Sequence, residues 1–178
     1  MFETAEVGSQ IPKEEYEAQV PQSRVDLINA QYDLRNADFP TLVLIAGDDR
    51  QGCNDIVNLL HEWMDARYLD THVFGSFTDE EQLVEHGMLV LKFCDPSSQL
   101  RRFKEREKTP YKKYKITGDD YRNREQWDAY VTAVNEMVAR TSTEIAPWRI
   151  VAADDKRWAR VEVLKAVCQG LKRLVKSA

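Results

Sequence analysis

The sequence predicts an α/β fold, a three-layer, mostly parallel sheet with a helical extension at its N-terminus. Short apolar runs at Thr41–Ala46 (TLVLIA), Gly87–Phe93 (GMLVLKF) and Trp148–Ala152 have the length of strands, and segments of helical periodicity separate them. Strands that alternate with helices are joined by crossovers, which makes neighbours parallel and puts helices on the sheet faces. With 178 residues and 43% hydrophobic content, the chain buries most of its apolar surface in one unit.

Taken in order, Lys13–Asn36 reads as an amphipathic helix interrupted near Pro21, with Tyr16, Val25, Leu27, Ile28 and Leu34 apolar, an appendage to the core. The expected division is a helical extension over 1–37 and an α/β core over 38–178. Thr41–Ala46 is a strand, and Ile56, Val57, Leu59, Leu60 and Trp63 recur at helical spacing after it. Thr71–Phe74 reads as a short strand and Gly87–Phe93 as a buried one. Pro96 suits the first turn of a helix that reaches about Glu107. Lys108–Lys115, with Pro110, reads as loop. Thr117–Asp120 supplies start signals for one long helix through Arg140, carrying Tyr121, Trp127, Tyr130, Val131, Val134, Met137 and Val138 on its apolar side. Trp148–Ala152 is a further strand, and Asp154–Val175 closes the chain as a helix whose Val163, Val167, Leu171 and Leu174 face either the core or a partner copy in a homo-oligomer.

Between the first strand and its helix lies the skeleton of a phosphate-binding loop: Gly47, four residues, Gly52. In such a loop backbone N–H groups and the helix N-terminus cradle phosphate oxygens, a lysine neutralises the outer phosphates, and a hydroxyl holds magnesium. Cys53 and Asn54 stand at the lysine and hydroxyl positions. A thiol does not replace an ammonium, and a charge-assisted contact to phosphate is worth about 1.5–3 kcal/mol. The residues alone leave two readings, an ordinary tight strand-to-helix turn or a degenerate phosphate site.

Charge points away from bulk nucleic-acid binding, since 25 basic and 30 acidic residues give a net charge of -5. Met1–Gln10 lacks the basic and apolar segments of a signal peptide, and no apolar run is long enough to span a membrane, so a cytoplasmic location is expected. Cys53, Cys94 and Cys168 match neither a disulfide framework nor a zinc site, and His61, His72 and His86 have no ligand spacing. A metal-dependent deaminase therefore finds no support.

Basic residues are dense from Arg101 through Arg102, Lys104, Arg106, Lys108, Lys112, Lys113 and Lys115. Arginine forks and lysine point charges grip a chain of phosphates, and the same density also suits a solvated helix face and loop. The interleaved Tyr111, Tyr114, Tyr121, Trp127 and Tyr130 read as core at their helical spacing.

Four blocks in order, Arg102–Lys115 (RFKEREKTPYKKYK), Arg122–Tyr130 (RNREQWDAY), Arg140–Trp148 (RTSTEIAPW) and Ala153–Leu164 (ADDKRWARVEVL), resemble the C-terminal half of the polyphosphate kinase 2 family. Met1–Leu34 and Asn58–Asp65 (NLLHEWMD) resemble the N-terminal domain of its tandem-domain members, the polyphosphate:AMP phosphotransferases. The resemblance implies a P-loop-kinase-like fold and magnesium-dependent transfer of a phosphoryl group between inorganic polyphosphate and AMP or ADP. It further implies that Asp49 helps organise the metal and acts with Arg106 in catalysis. Arg106 would guide polyphosphate with Lys113 and Lys115, while Gly47, Gly52, Cys53 and Asn54 form the phosphate loop. Such a site aligns donor and acceptor and neutralises charge.

The sequence departs from the family at Cys53 and Asn54. It also passes from Phe74–Glu81 (FGSFTDEE) directly to a strand like one far beyond the family's lid, so the core is expected to be shortened near 75–87. The arginine-rich lid and an acidic strand motif, Asp followed by Arg, Ser, Trp and Tyr, find no counterpart. Three readings follow: a polyphosphate:nucleotide phosphotransferase, a catalytically impaired phosphate-binding or dimerisation domain, or a shortened version of a longer protein.

Overall fold

The computed structural model describes residues 9–35, 37, 41–73, 87–93, 96–144 and 146–177. Helix α1 (Lys13–Leu34) is followed by β1 (Leu42–Gly47), α2 (Arg50–Trp63), β2 (Gly87–Phe93), α3 (Pro96–Glu107), α4 (Gly118–Glu125), α5 (Trp127–Thr141), β3 (Trp148–Ala152) and α6 (Lys156–Ser177). The described strands form one parallel sheet in the order β1-β2-β3, with Leu44 opposite Leu89 and Leu91 opposite Ile150.

Strand side chains alternate between the two faces, and each face carries its own core. Val43 and Ile45 of β1 and Val151 of β3 join a cluster with Ile56, Leu59, Leu60 and Trp63 of α2, Leu27 and Ala30 of α1, and Val163, Val167 and Leu171 of α6. Their neighbours Ala46, Trp148 and Ile150 meet Val134 and Val138 of α5 on the other face. This is the expected three-layer arrangement.

Helix α1 runs through Pro21 without interruption, contrary to expectation. The proline forgoes one backbone bond, but α1 packs along α6, which buries Leu27 and Ala30 completely after the proline, while Val20 just before it packs against the same cluster. Gln31 anchors α1 further: its amide donates to Asp65 O at 3.0 Å and accepts from Asp65 N at 2.8 Å. The α6 residues Val163, Val167, Leu171 and Leu174 are buried within this chain, which settles their face in favour of the core.

The single long helix expected from Thr117 to Arg140 is two helices, separated at Gln126 (φ -100°, ψ 30°). Different partners draw them apart. Arg124 of α4 donates to Gln99 Oε1 at 3.2 Å and Tyr121 stacks edge-on against Phe103, whereas α5 packs on the sheet. Thr71–Val73 is not a strand, and Val73 is 86% exposed. Phe74, His86, Cys94 and the stretch 75–86, where shortening is expected, lie outside the described residues. Tyr111 and Tyr114 are exposed rather than core, because Lys108–Lys115 is a loop with one tight turn instead of a helix. No described helix is long and apolar enough to cross a membrane.

Candidate functional site

The junction between β1 and α2 is only two residues long, Asp48 and Asp49, so the helix begins earlier than the spacing of the glycines suggests. Gly52, Cys53 and Asn54 are helical residues, and Cys53 N–H is already engaged by Asp49 O at 3.0 Å. The backbone donors left at the head of α2 are therefore Arg50, Gln51 and Gly52. No described glycine has positive φ, so the αR–αL nest that wraps an anion is absent among the described residues. Gly47 closes β1 opposite Lys92.

Asp49 occupies the N-cap position of α2 yet makes no side-chain cap bond. Its carboxylate, 2% exposed, turns instead to two arginines of α3. Arg102 Nη1 donates to Oδ2 at 2.9 Å, Arg106 Nη1 to Oδ1 at 2.9 Å, and Arg106 Nη2 to Oδ2 at 3.2 Å. Arg102 Nη2 also donates to the carbonyls of Ala153 and, at 3.0 Å, Asp154, which ties α3 to the approach to α6. One turn away, Gln99 Nε2 donates to Asp48 O at 2.9 Å.

Helix α3 thus buries a polar stripe, Gln99, Arg102 and Arg106, beside Phe103. These positions, spaced i, i+3, i+4 and i+7, share one helix face. Four of the five buried polar residues described, Asp49, Gln99, Arg102 and Arg106, meet at this junction. Buried arginines persist because each finds carboxylate or carbonyl acceptors; unpaired, such a charge costs several kcal/mol.

The basic loop is fastened close by. Arg50 Nη2 contacts Lys115 O at 3.5 Å and Asp120 Oδ2 at 3.4 Å, and Asp120 in turn accepts from Thr117 N at 2.7 Å. The backbone, rather than the lysine ammonium groups, makes this contact: Lys113 lies 4.9 Å from the Tyr114 ring centre, and both lysines are exposed.

On the far side, Lys156 opens α6 and lines a small cavity with Asp49, Gly52, Asp55 and Arg102. Partial burial, then the positive charge of Arg102, holds its ammonium below the ordinary lysine value of 10.5, while Asp55 pulls it upward. Sequence reasoning missed Arg102 and Lys156 as site residues. The spacing of Gln99, Arg102 and Arg106 was visible, but a polar stripe signals solvent unless a buried acceptor is known to face it.

Magnesium does not fit Asp49 as it is held. Both carboxylate oxygens accept from guanidinium groups, two cations surround one anion, and no cluster of three His, Cys, Asp or Glu able to hold a metal exists among the described residues.

Comparison with known proteins places this geometry. The family model described as Polyphosphate kinase 2 matches residues 76–177. A polyphosphate:AMP phosphotransferase of Pseudomonas aeruginosa is 60% identical over 98 residues, covering 53% of this chain and 20% of that protein. An NDP-polyphosphate phosphotransferase 3 of Ruegeria pomeroyi is 34% identical over 117 residues, 56% of this chain and 38% of the other. The chain spans well under half the length of these relatives. A crystal structure described as a polyphosphate kinase 2 from Pseudomonas aeruginosa superposes with TM-score 0.79 at 29% identity, over 96% of this chain and 49% of that one. One from Arthrobacter aurescens does so with TM-score 0.80 at 21% identity, over 94% and 82%, which shows the shared fold. Because the matched family region takes in more than half of its residues, the chain belongs to the polyphosphate kinase 2 family.

Proposed function

We propose that this chain serves phosphoryl transfer between inorganic polyphosphate and a nucleotide, AMP or ADP, in the cytoplasm. The observation that carries the reading is the convergence of Arg102 and Arg106 on the phosphate-loop junction at Asp49. Two guanidinium forks beside the donors at the head of α2 suit a phosphate group. Arg106, at the outer end of the α3 stripe, exchanges part of its contact with Asp49 for phosphate oxygens. Lys113 and Lys115 on the fastened loop extend the positive track along a phosphate chain, and Gly47 and Gly52 keep side chains out of its way. The site aligns donor and acceptor and offsets charge on the transferring group. A divalent cation such as magnesium supplies charge neutralisation in this chemistry when bound, and Asp49 acts here as counter-ion to the arginines rather than as its ligand.

A second reading is supported by one specific observation. With α2 starting at Arg50 and Cys53 in the lysine position, the junction lacks both the wrapped backbone and the cation of a working loop. A catalytically impaired phosphate-binding or dimerisation domain fits that description.

Nucleotide formation by the purified chain, given AMP or ADP with long-chain polyphosphate and magnesium, separates the two. Sustained turnover that Arg106→Met reduces at least tenfold supports phosphotransfer. Polyphosphate binding without turnover supports the impaired domain, and neither binding nor turnover refutes both.

A further inference from the structure

We infer that Lys156 supplies the cation that the phosphate loop lacks at position 53, holding a phosphate of a linear oligophosphate in the cleft at the head of α6. This inference rests on the phosphate-binding reading above and adds the residue and the place.

Position 53 carries a half-buried thiol on the first turns of α2, and nothing on that helix puts an ammonium near Gly52. Lys156 approaches from the opposite side. The cavity it shares with Gly52, Asp49 and Arg102, about 10 Å³, is close to the least that admits a single water, so a phosphate does not enter it. Next to it opens a cleft of about 440 Å³. Lys156, Arg102 and Arg160 line both spaces and therefore stand between the loop and the cleft. That volume is in the range of small-molecule sites.

Charge in the cleft favours an anion. Arg101, Arg102, Lys156, Arg157 and Arg160 face Glu105, Asp154 and Asp155. Arg102 is committed to Asp49 and two carbonyls, so it fixes the wall. The Lys156 ammonium, by contrast, makes no hydrogen bond or ion pair with any described residue. An ammonium without a carboxylate partner, set beside Arg102 and Arg106, gains from an incoming phosphate, which counters the charge of those neighbours. Asp49 and Asp55 act on Lys156 electrostatically from the other side, and Asp49 is already held by the two arginines.

The test is calorimetric titration of the full chain with tripolyphosphate, without nucleotide. Lys156→Met is expected to weaken binding about tenfold or more, the loss of one charge-assisted contact, while Lys156→Arg retains most of it. Lys165→Met, an exposed lysine paired with Glu162 further along α6, leaves affinity unchanged. Titration in buffers of differing ionisation enthalpy at alkaline pH should show proton uptake on binding in the wild type and none in Lys156→Met, a signature a purely structural lysine does not give. Tripolyphosphate binding indifferent to Lys156→Met overturns this inference and leaves the phosphotransfer reading standing. Failure of the wild type to bind tripolyphosphate removes both.

Discussion

Asp49→Asn tests the buried clamp directly. The substitution keeps the shape of the side chain and removes its charge, leaving Arg102 and Arg106, with side chains 4% and 9% exposed, around a neutral amide. Three guanidinium-to-carboxylate bonds are affected. At about 1.5–3 kcal/mol each their sum overstates the loss, because Arg102 keeps the carbonyls of Ala153 and Asp154 and the asparagine oxygen still accepts one bond. Removing one partner of a buried ion pair typically costs about 3–5 kcal/mol, and that is the expected destabilisation. For a chain of this size each kcal/mol lowers Tm by roughly 2–4 °C, so a drop of roughly 6–20 °C is expected. Urea unfolding followed by circular dichroism at neutral pH measures it, with Arg106→Met and the double variant completing a cycle in which the two losses are strongly non-additive. The shift should be the same in EDTA and in magnesium. A change below about 1 kcal/mol, or magnesium stabilisation of the wild type that Asp49→Asn abolishes, would refute the account of Asp49 as an internal counter-ion.

Other expectations follow from the same structure. Leu27→Ala, in a fully buried α1 position against α6, should cost about 2–5 kcal/mol in urea unfolding; a loss below about 1 kcal/mol would make α1 a detachable appendage. Lys156 has a lowered folded pKa, so the unfolded chain binds more protons between that value and 10.5. Stability therefore gains from this group as pH rises through that alkaline window, a gain absent below it, and the difference between wild type and Lys156→Met should grow there; a flat difference counts against the assignment. Cys53→Lys alone should raise nucleotide formation only slightly, since the helical start at Arg50 still lacks a wrapped loop, and near-complete activity would contradict this. Arg124→Met, which releases Gln99 and with it the hold on Asp48, is expected to raise the KM for polyphosphate more than it lowers kcat.

Much of the fold is legible because its signals are local. The apolar runs at β2 and β3 and the proline at the head of α3 mark elements whose ends match the structure residue for residue. The alternation of strands with helices along the chain likewise foretells helices on both faces of the sheet. Local signals mislead where a remote partner decides. Pro21 looks like a break, yet α6 carries α1 across it, and an unbroken helical pattern from Thr117 onward hides the separation of α4 from α5.

For the site, the sequence by itself determined the ingredients: glycines after a strand, a missing lysine at position 53, and a dense basic segment around Arg106. Residue types and their order along the chain suffice for that. Only the tertiary structure decided how they are used, because the pairing of Asp49 with Arg102 and Arg106 spans more than fifty residues. Lys156 reaches the same junction from a helix more than a hundred residues beyond it. Charged side chains read as solvated until a buried partner is in view. It is the low-dielectric junction between β1 and α2, closed by α3 and the head of α6, that turns them into a site.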